Sequence, residues 1–169
     1  MIVMRRALLV LVSAATAVAM GAGPGIGAGK GGGSGDEPGA AAPEADLSHH
    51  GHTSLSGGRL TVRFESENHG PAGLTDATVR LDFSVPPTAG QALPSNCLWS
   101  GDRTVLCGTG QLRRVGRSHK TALDLKTVGS PAEVVVWVGT AWNGGASDPN
   151  PENDRHRVLT PDTGDLYAF

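Results

Sequence analysis

Nine consecutive residues, Ala77-Thr78-Val79-Arg80-Leu81-Asp82-Phe83-Ser84-Val85, place an apolar side chain at every odd position and a polar one at every even position. A period of two belongs to a β-strand with one face on a core and the other in water. Val79, Leu81 and Phe83 are therefore expected inside, and Arg80 and Asp82 outside. Leu60, Val62 and Phe64 alternate in the same way with Thr61, Arg63 and Glu65, and Leu123 and Leu125 do so less cleanly. Glu133 to Trp142 (EVVVWVGTAW) is β-branched and apolar on both faces, the composition of a central strand. His156 to Thr160 reads as a last short strand. Turn-forming clusters separate these runs: Asn68-His69-Gly70-Pro71, Pro86-Pro87, Ser100-Gly101-Asp102, Gly129-Ser130-Pro131 and Asn143-Gly144-Gly145. Helical periodicity is absent. About seven short strands with turns between them predict an all-β fold, an immunoglobulin-like β-sandwich.

The first part of the chain has another character. Arg5 and Arg6 precede Ala7 to Met20, fourteen residues without a charge, and Ala17-Val18-Ala19 supplies the small-x-small pattern of a cleavage site. A membrane-spanning helix needs ~20 apolar residues, so residues 1–19 read as a signal peptide, with cleavage after Ala19 or Ala22. A short uncleaved anchor is the rival reading. Gly21 to Ala45 holds ten Gly, six Ala and three Pro, too little apolar surface to offset the entropy of ordering. Residues 20–45 are expected to form a disordered spacer with a reach of roughly 25–30 Å, and residues 46–169 the folded domain. Without Arg5 and Arg6, a formal charge of −2 becomes more negative still. That balance, with aromatics at 4%, argues against a nucleic-acid binder. The basic run Arg113 to Lys120 reads as a solvated turn.

Cys97 and Cys107, the two cysteines of the chain, bracket Leu98 to Leu106. The Ser100-Gly101-Asp102 turn folds this segment into a hairpin with Trp99 and Val105 on the face of the two sulfurs. An exported protein meets oxidising conditions, so the pair is expected to bond, stabilising the fold by roughly 2.5–3 kcal/mol in the chain-entropy description. A redox or metal-ligand role would call for a C-x-x-C spacing or a nearby third ligand, and neither is present.

Several landmarks occur in a characteristic order: Asn68-His69-Gly70-Pro71, Thr75-Asp76-Ala77-Thr78-Val79, Val85-Pro86, then Cys97, Val105-Leu106-Cys107, Gly110-Gln111-Leu112 and Gly116, and finally Asp148-Pro149-Asn150-Pro151-Glu152-Asn153-Asp154. From about Leu60 to Leu159 this order resembles the "conserved repeat" domain of bacterial surface proteins. The resemblance implies an immunoglobulin-like sandwich with no catalytic residues. Two features depart from that family: the chain holds one copy, and Thr163 to Phe169 lies outside the pattern. As a whole the chain is similar to small actinobacterial secreted proteins that end in a comparable Thr-Gly-Asp-x-Tyr-x-Phe.

Metal chemistry has two candidate sites. His49-His50-Gly51-His52 offers imidazoles suited to copper, zinc or nickel. A strand puts His50 and His52 on one face and His49 on the other, and a further ligand from His69, His119 or His156 would be required. The alternative is a solvated polar strand end. A blue-copper site is disfavoured because both cysteines are better placed in a disulfide and no Met follows Met20. Asp148, Asn150, Glu152 and Asp154 have the look of a calcium loop. An EF-hand starting there would need glycine at position 153 and glutamate at position 159, where Asn153 and Leu159 stand. The same residues serve equally well as Asx-turn formers.

Catalysis finds no footing: Gly-x-Ser-x-Gly, a phosphate-binding Gly loop and His-Glu-x-x-His are all missing. Trp99, Trp137 and Trp142 are expected to fill the core, with a carbohydrate-binding face as the other use of them. The sequence reading is thus a secreted, non-enzymatic module without a cofactor, binding an extracellular protein or envelope component and lacking a membrane anchor after signal cleavage. Its rivals are a secreted protease inhibitor using the Leu98–Arg103 tip and a metal-capturing protein using the His cluster.

Overall fold

The computed structural model describes residues 41–116 and 118–169. The expected signal peptide and most of the expected spacer lie outside them. Among the described residues there are nine strands and no helix, hence none long and apolar enough to cross a membrane. The strands are β1 Leu47–Ser56, β2 Arg59–Asn68, β3 Thr78–Phe83, β4 Cys97–Trp99, β5 Thr104–Gly108, β6 His119–Lys126, β7 Glu133–Trp142, β8 His156–Pro161 and β9 Tyr167–Ala168. They form a four-stranded sheet in the order β6-β2-β1-β9 and a five-stranded sheet in the order β4-β5-β3-β7-β8. All strand pairs are antiparallel. The all-β sandwich of two antiparallel sheets expected from the sequence is present, with nine strands in place of about seven.

The core sits between the sheets. Leu55, Leu60, Val62 and Phe64 from β1 and β2, with Leu123 and Leu125 from β6, meet Val79, Leu81 and Phe83 from β3 and Val134, Val136 and Val138 from β7. Alternation decides which residues these are, because a one-residue slip would exchange the two faces of a strand. β3 obeys it: Val79, Leu81 and Phe83 are buried while Arg80 is exposed. A second cluster of Ala45, Leu47, Leu74, Ala77 and Leu112 closes one end. The ordered body takes in Pro43–Ala45 as well: Ala45 is fully buried, and the backbone of Pro43 and Ala45 bonds to Ser147.

Cys97 and Cys107 are disulfide-bonded, directly opposite each other on β4 and β5. Trp99 pairs with Val105 one step further on, and Val105, Cys97 and Trp99 all pack on the core. The disulfide therefore locks one hairpin within one sheet; it does not tie the two sheets together.

β7 lies between β3 and β8, an inner strand as its composition implied. Two expectations need correction. Trp137 and Trp142 are not in the core, being 40% and 49% exposed, because the inward positions of β7 are taken by Val134, Val136 and Val138. His49 to His52 is no solvated strand end. It lies inside the ten-residue β1, which turns into β2 through Gly57 and Gly58. Both glycines have positive φ, 56° and 75°, the geometry that a two-residue hairpin turn demands.

Substitutions in β3 test the alternation. Leu81→Ala leaves a cavity between the sheets and is expected to cost roughly 2–5 kcal/mol. Arg80→Ala, which loses one exposed ion pair, should stay within about 1 kcal/mol. Denaturant melts at constant slope provide the comparison; equal costs would mean that both faces of β3 are covered.

Candidate functional site

The outer face of the five-stranded sheet carries the most distinctive surface of the protein. Burial of Val134, Val136 and Val138 turns Val135, Trp137 and Gly139 outward. Trp137 stands opposite Asp82 on β3 and Arg157 on β8. The Arg157 guanidinium lies 6.0 Å from the centroid of the indole, within cation–π range. Asp82 receives a forked pair of hydrogen bonds from Arg80, Nε to Oδ2 at 2.6 Å and Nη2 to Oδ1 at 3.0 Å. Thr104 Oγ1 donates to the same carboxylate at 2.6 Å. Those hydrogen bonds, the Arg80 one above all, hold Asp82 below the usual carboxylate range.

A β-bulge extends this face. The β3–β7 register shifts between Thr78 and Val79, so that Thr78 pairs with Trp142 and Val79 with Thr140, leaving Ala141 as the extra residue. Without the bulge Trp142 would share the inward parity of Val134, Val136 and Val138. With it, Trp142 joins Thr78, Arg80 and Asp82 on the outer side. Gly139, which stands between the two indoles in register, contributes no side chain, and beside Trp137 a depression of ≈ 260 Å³ opens, lined by Arg80, Asp82, Trp137, Gly139, Thr140 and Arg155 among others. Trp99 is different: it is half-buried, with Nε1 donating to the Gln91 carbonyl at 3.1 Å.

Thr140, in register ahead of the bulge, keeps the inward parity of Val138 and meets His49. His49 is 0% exposed. Its Nδ1 lies 3.0 Å from Ser66 Oγ and its Nε2 2.9 Å from Thr140 Oγ1. One ring nitrogen donates and the other accepts, so both hydrogen-bonding needs of a neutral imidazole are met. Burial, reinforced by the charges of His156 and His50, lowers the His49 pKa to about 4. Further along β1, the hydroxyls of Thr53 and Thr160 share a second buried bond between the sheets, 2.5 Å long. Gly51, between the histidines, makes room for the C-terminal strand: a Cβ there would strike the Arg63 carbonyl and approach the Phe169 ring to 2.9 Å.

The metal candidates do not come together. His50 and His52 share the outer face of β1 and line a shallow concavity with Arg63, Glu65 and Lys120, while His49 faces the interior. His69 Nε2 bonds to Ser48 Oγ, and His119 lies against Asn96. The acidic loop bonds to itself and to Asp46 and Leu47, while Asn153 Oδ1 and Asp154 Oδ1 are buried without a hydrogen-bond partner among the described residues. Asp148 Oδ1 accepts from the Asn150 amide and Oδ2 from the Leu47 amide. The side-chain amides of Asn150 and Asn153 donate to the two oxygens of Asp46. Glu152 points to solvent, and Asp154 is buried, its pKa raised chiefly by desolvation and partly offset by the Thr140 hydroxyl. Among the described residues no group of three or more His, Cys, Asp or Glu side chains is arranged to hold a metal ion. At the hairpin tip, Leu98 is 57% exposed, but Arg103 is tied to β3 by its side-chain bond to the Ser84 carbonyl and its own carbonyl's bond from the Phe83 amide.

His49 gives the fold a pH dependence whose sign is fixed. Its folded pKa, about 4, lies below the 6.5 of the unfolded chain, so the unfolded state binds more protons between those values. The stability it contributes is complete above pH 6.5 and falls as the pH drops toward 4, by at most about 3 kcal/mol. Asp154 works in the opposite direction, since its raised folded pKa favours folding as pH falls. Urea melts between pH 7 and 4 should show a stability loss that flattens in His49→Gln. An unchanged slope in the variant would contradict a buried neutral imidazole.

No protein-family model matches the chain, and no curated protein matches it. Among solved structures it is similar to β-glucosidase 3B from Thermotoga neapolitana in complex with α-D-glucose. The match has 16% identity and a TM-score of 0.40, and covers 74% of this chain. The chain spans only 17% of that one, and a likeness this loose carries no information about activity.

Proposed function

We propose that this protein is an exported, non-catalytic immunoglobulin-like module, a single-copy relative of the conserved-repeat domain, that binds an extracellular or envelope component through the outer face of its five-stranded sheet. The observation that carries the reading is the display of Trp137 and Trp142 on one face, in a strand whose other side places Val134, Val136 and Val138 in the core. Exposed indoles cost solvation free energy and are enriched where partners bind, together with arginine. Here Arg80, Arg155 and Arg157 surround them. Export fits the disulfide, which persists in oxidising compartments. A binding role also fits the buried bonds between β1 and its neighbours: His49 is engaged by Ser66 and Thr140, and Thr53 by Thr160.

Retention on envelope material from the producing cells tests this. Labelled wild-type protein should be retained, and Trp137→Ala with Trp142→Ala should reduce retention by about tenfold or more while the melting midpoint stays native. Equal retention of the folded variant would exclude this face as the binding surface.

A further inference from the structure

The chemistry of the Trp137–Trp142 face narrows its partner. Four positions of β3, from Thr78 opposite Trp142 to Asp82 opposite Trp137, separate the indoles, a span of about 14 Å at the strand rise of ~3.4 Å per residue. The platform is therefore elongated along β7, with an indole at each end and Gly139 between them in register, and the depression lies on the Trp137 side. Indole faces attract the weakly positive C–H faces of a sugar ring. Beside Trp137 the hydrogen-bonding groups are mixed: guanidinium donors from Arg80, Arg155 and Arg157 stand with the Asp82 carboxylate. Adjacent donors and acceptors in planar groups suit the vicinal hydroxyls of a saccharide, each of which both gives and takes a hydrogen bond.

Charge sets the class further. Arg80 and Arg155 line the depression with one surface carboxylate, Asp82, which Arg80 already engages, and Arg157 lies over the neighbouring Trp137. Arg157 has no carboxylate partner among the described residues, and Arg155 approaches only the buried Asp154, at 3.8 Å. A cationic site of this kind pairs with carboxylates, which guanidinium binds through two parallel hydrogen bonds. We propose that the outer face of β3, β7 and β8 binds an acidic polysaccharide chain, with sugar rings on Trp137 and Trp142 and a uronate carboxylate at Arg155 and Arg157. The inference rests on the binding-module reading above and names its ligand.

Affinity electrophoresis of the full exported chain through gels containing polygalacturonate, a neutral β-glucan or polyglutamate tests it. The expected result is retardation by polygalacturonate alone, weakened by added salt. Trp137→Ala and Arg157→Gln should each weaken it by about tenfold or more. Gly139→Val is the second kind of variant: a Cβ at 139 meets neighbours only at ordinary contact distance, 3.5 Å or more, so the fold is kept while the depression fills, and retardation should be lost. Equal retardation by polyglutamate would reduce the effect to charge and overturn the saccharide assignment, as would unaltered binding by the folded variants. If polygalacturonate is ignored while envelope retention still depends on Trp137, the ligand class is wrong and the binding face stands. If neither depends on Trp137, both readings fall.

Discussion

The register of β7 against β3 governs the interior and the surface together. Val134, Val136 and Val138 are committed to the core by their pairing with a strand whose own inward residues are Val79, Leu81 and Phe83. That commitment forces Trp137 outward, although burying an indole would remove more apolar surface from water than burying a valine. Thr140 continues the same inward row and reaches His49. The bulge at Ala141 then reverses the parity and sends Trp142 to the solvent side, which completes the aromatic platform.

Inter-sheet cohesion has two sources. Most of it is apolar contact across the core, and the rest comes from hydroxyl–imidazole and hydroxyl–hydroxyl bonds that run from β1 to β7 and β8. Each such bond contributes only ~1 kcal/mol net, yet leaving a buried partner unsatisfied costs more, so the polar tie defines which end of β1 meets which end of β7. The disulfide acts elsewhere, holding the β4–β5 hairpin at the opposite edge of the five-stranded sheet.

Much of this was legible in the residues. The alternation of β2, β3 and β6 places their core side chains correctly, and the bounds of β7 coincide with its apolar run. β1 was not legible as an inner strand because its inward positions hold His49, Gly51 and Thr53, each accounted for only by tertiary neighbours: two hydroxyl partners, the Phe169 ring, and the Thr160 hydroxyl. The Ser56-Gly57-Gly58-Arg59 turn was the local signal that could have revealed the hairpin. β9 is two residues long and exists only through its pairing with β1. The position of the tryptophans was misjudged for a related reason. A strand that is apolar on both sides does not announce which side is buried, and no local rule places a bulge at Ala141.

The account stands or falls on where the three indoles lie. Hydroxyl-radical footprinting of the disulfide-bonded protein, read by mass spectrometry, reports side-chain accessibility directly. Trp137 and Trp142 should be oxidised readily and to similar extents, and Trp99 should be several-fold slower. Protection of Trp137 at a level like that of Trp99 would mean that β7 is covered on both faces, and the aromatic platform would not exist.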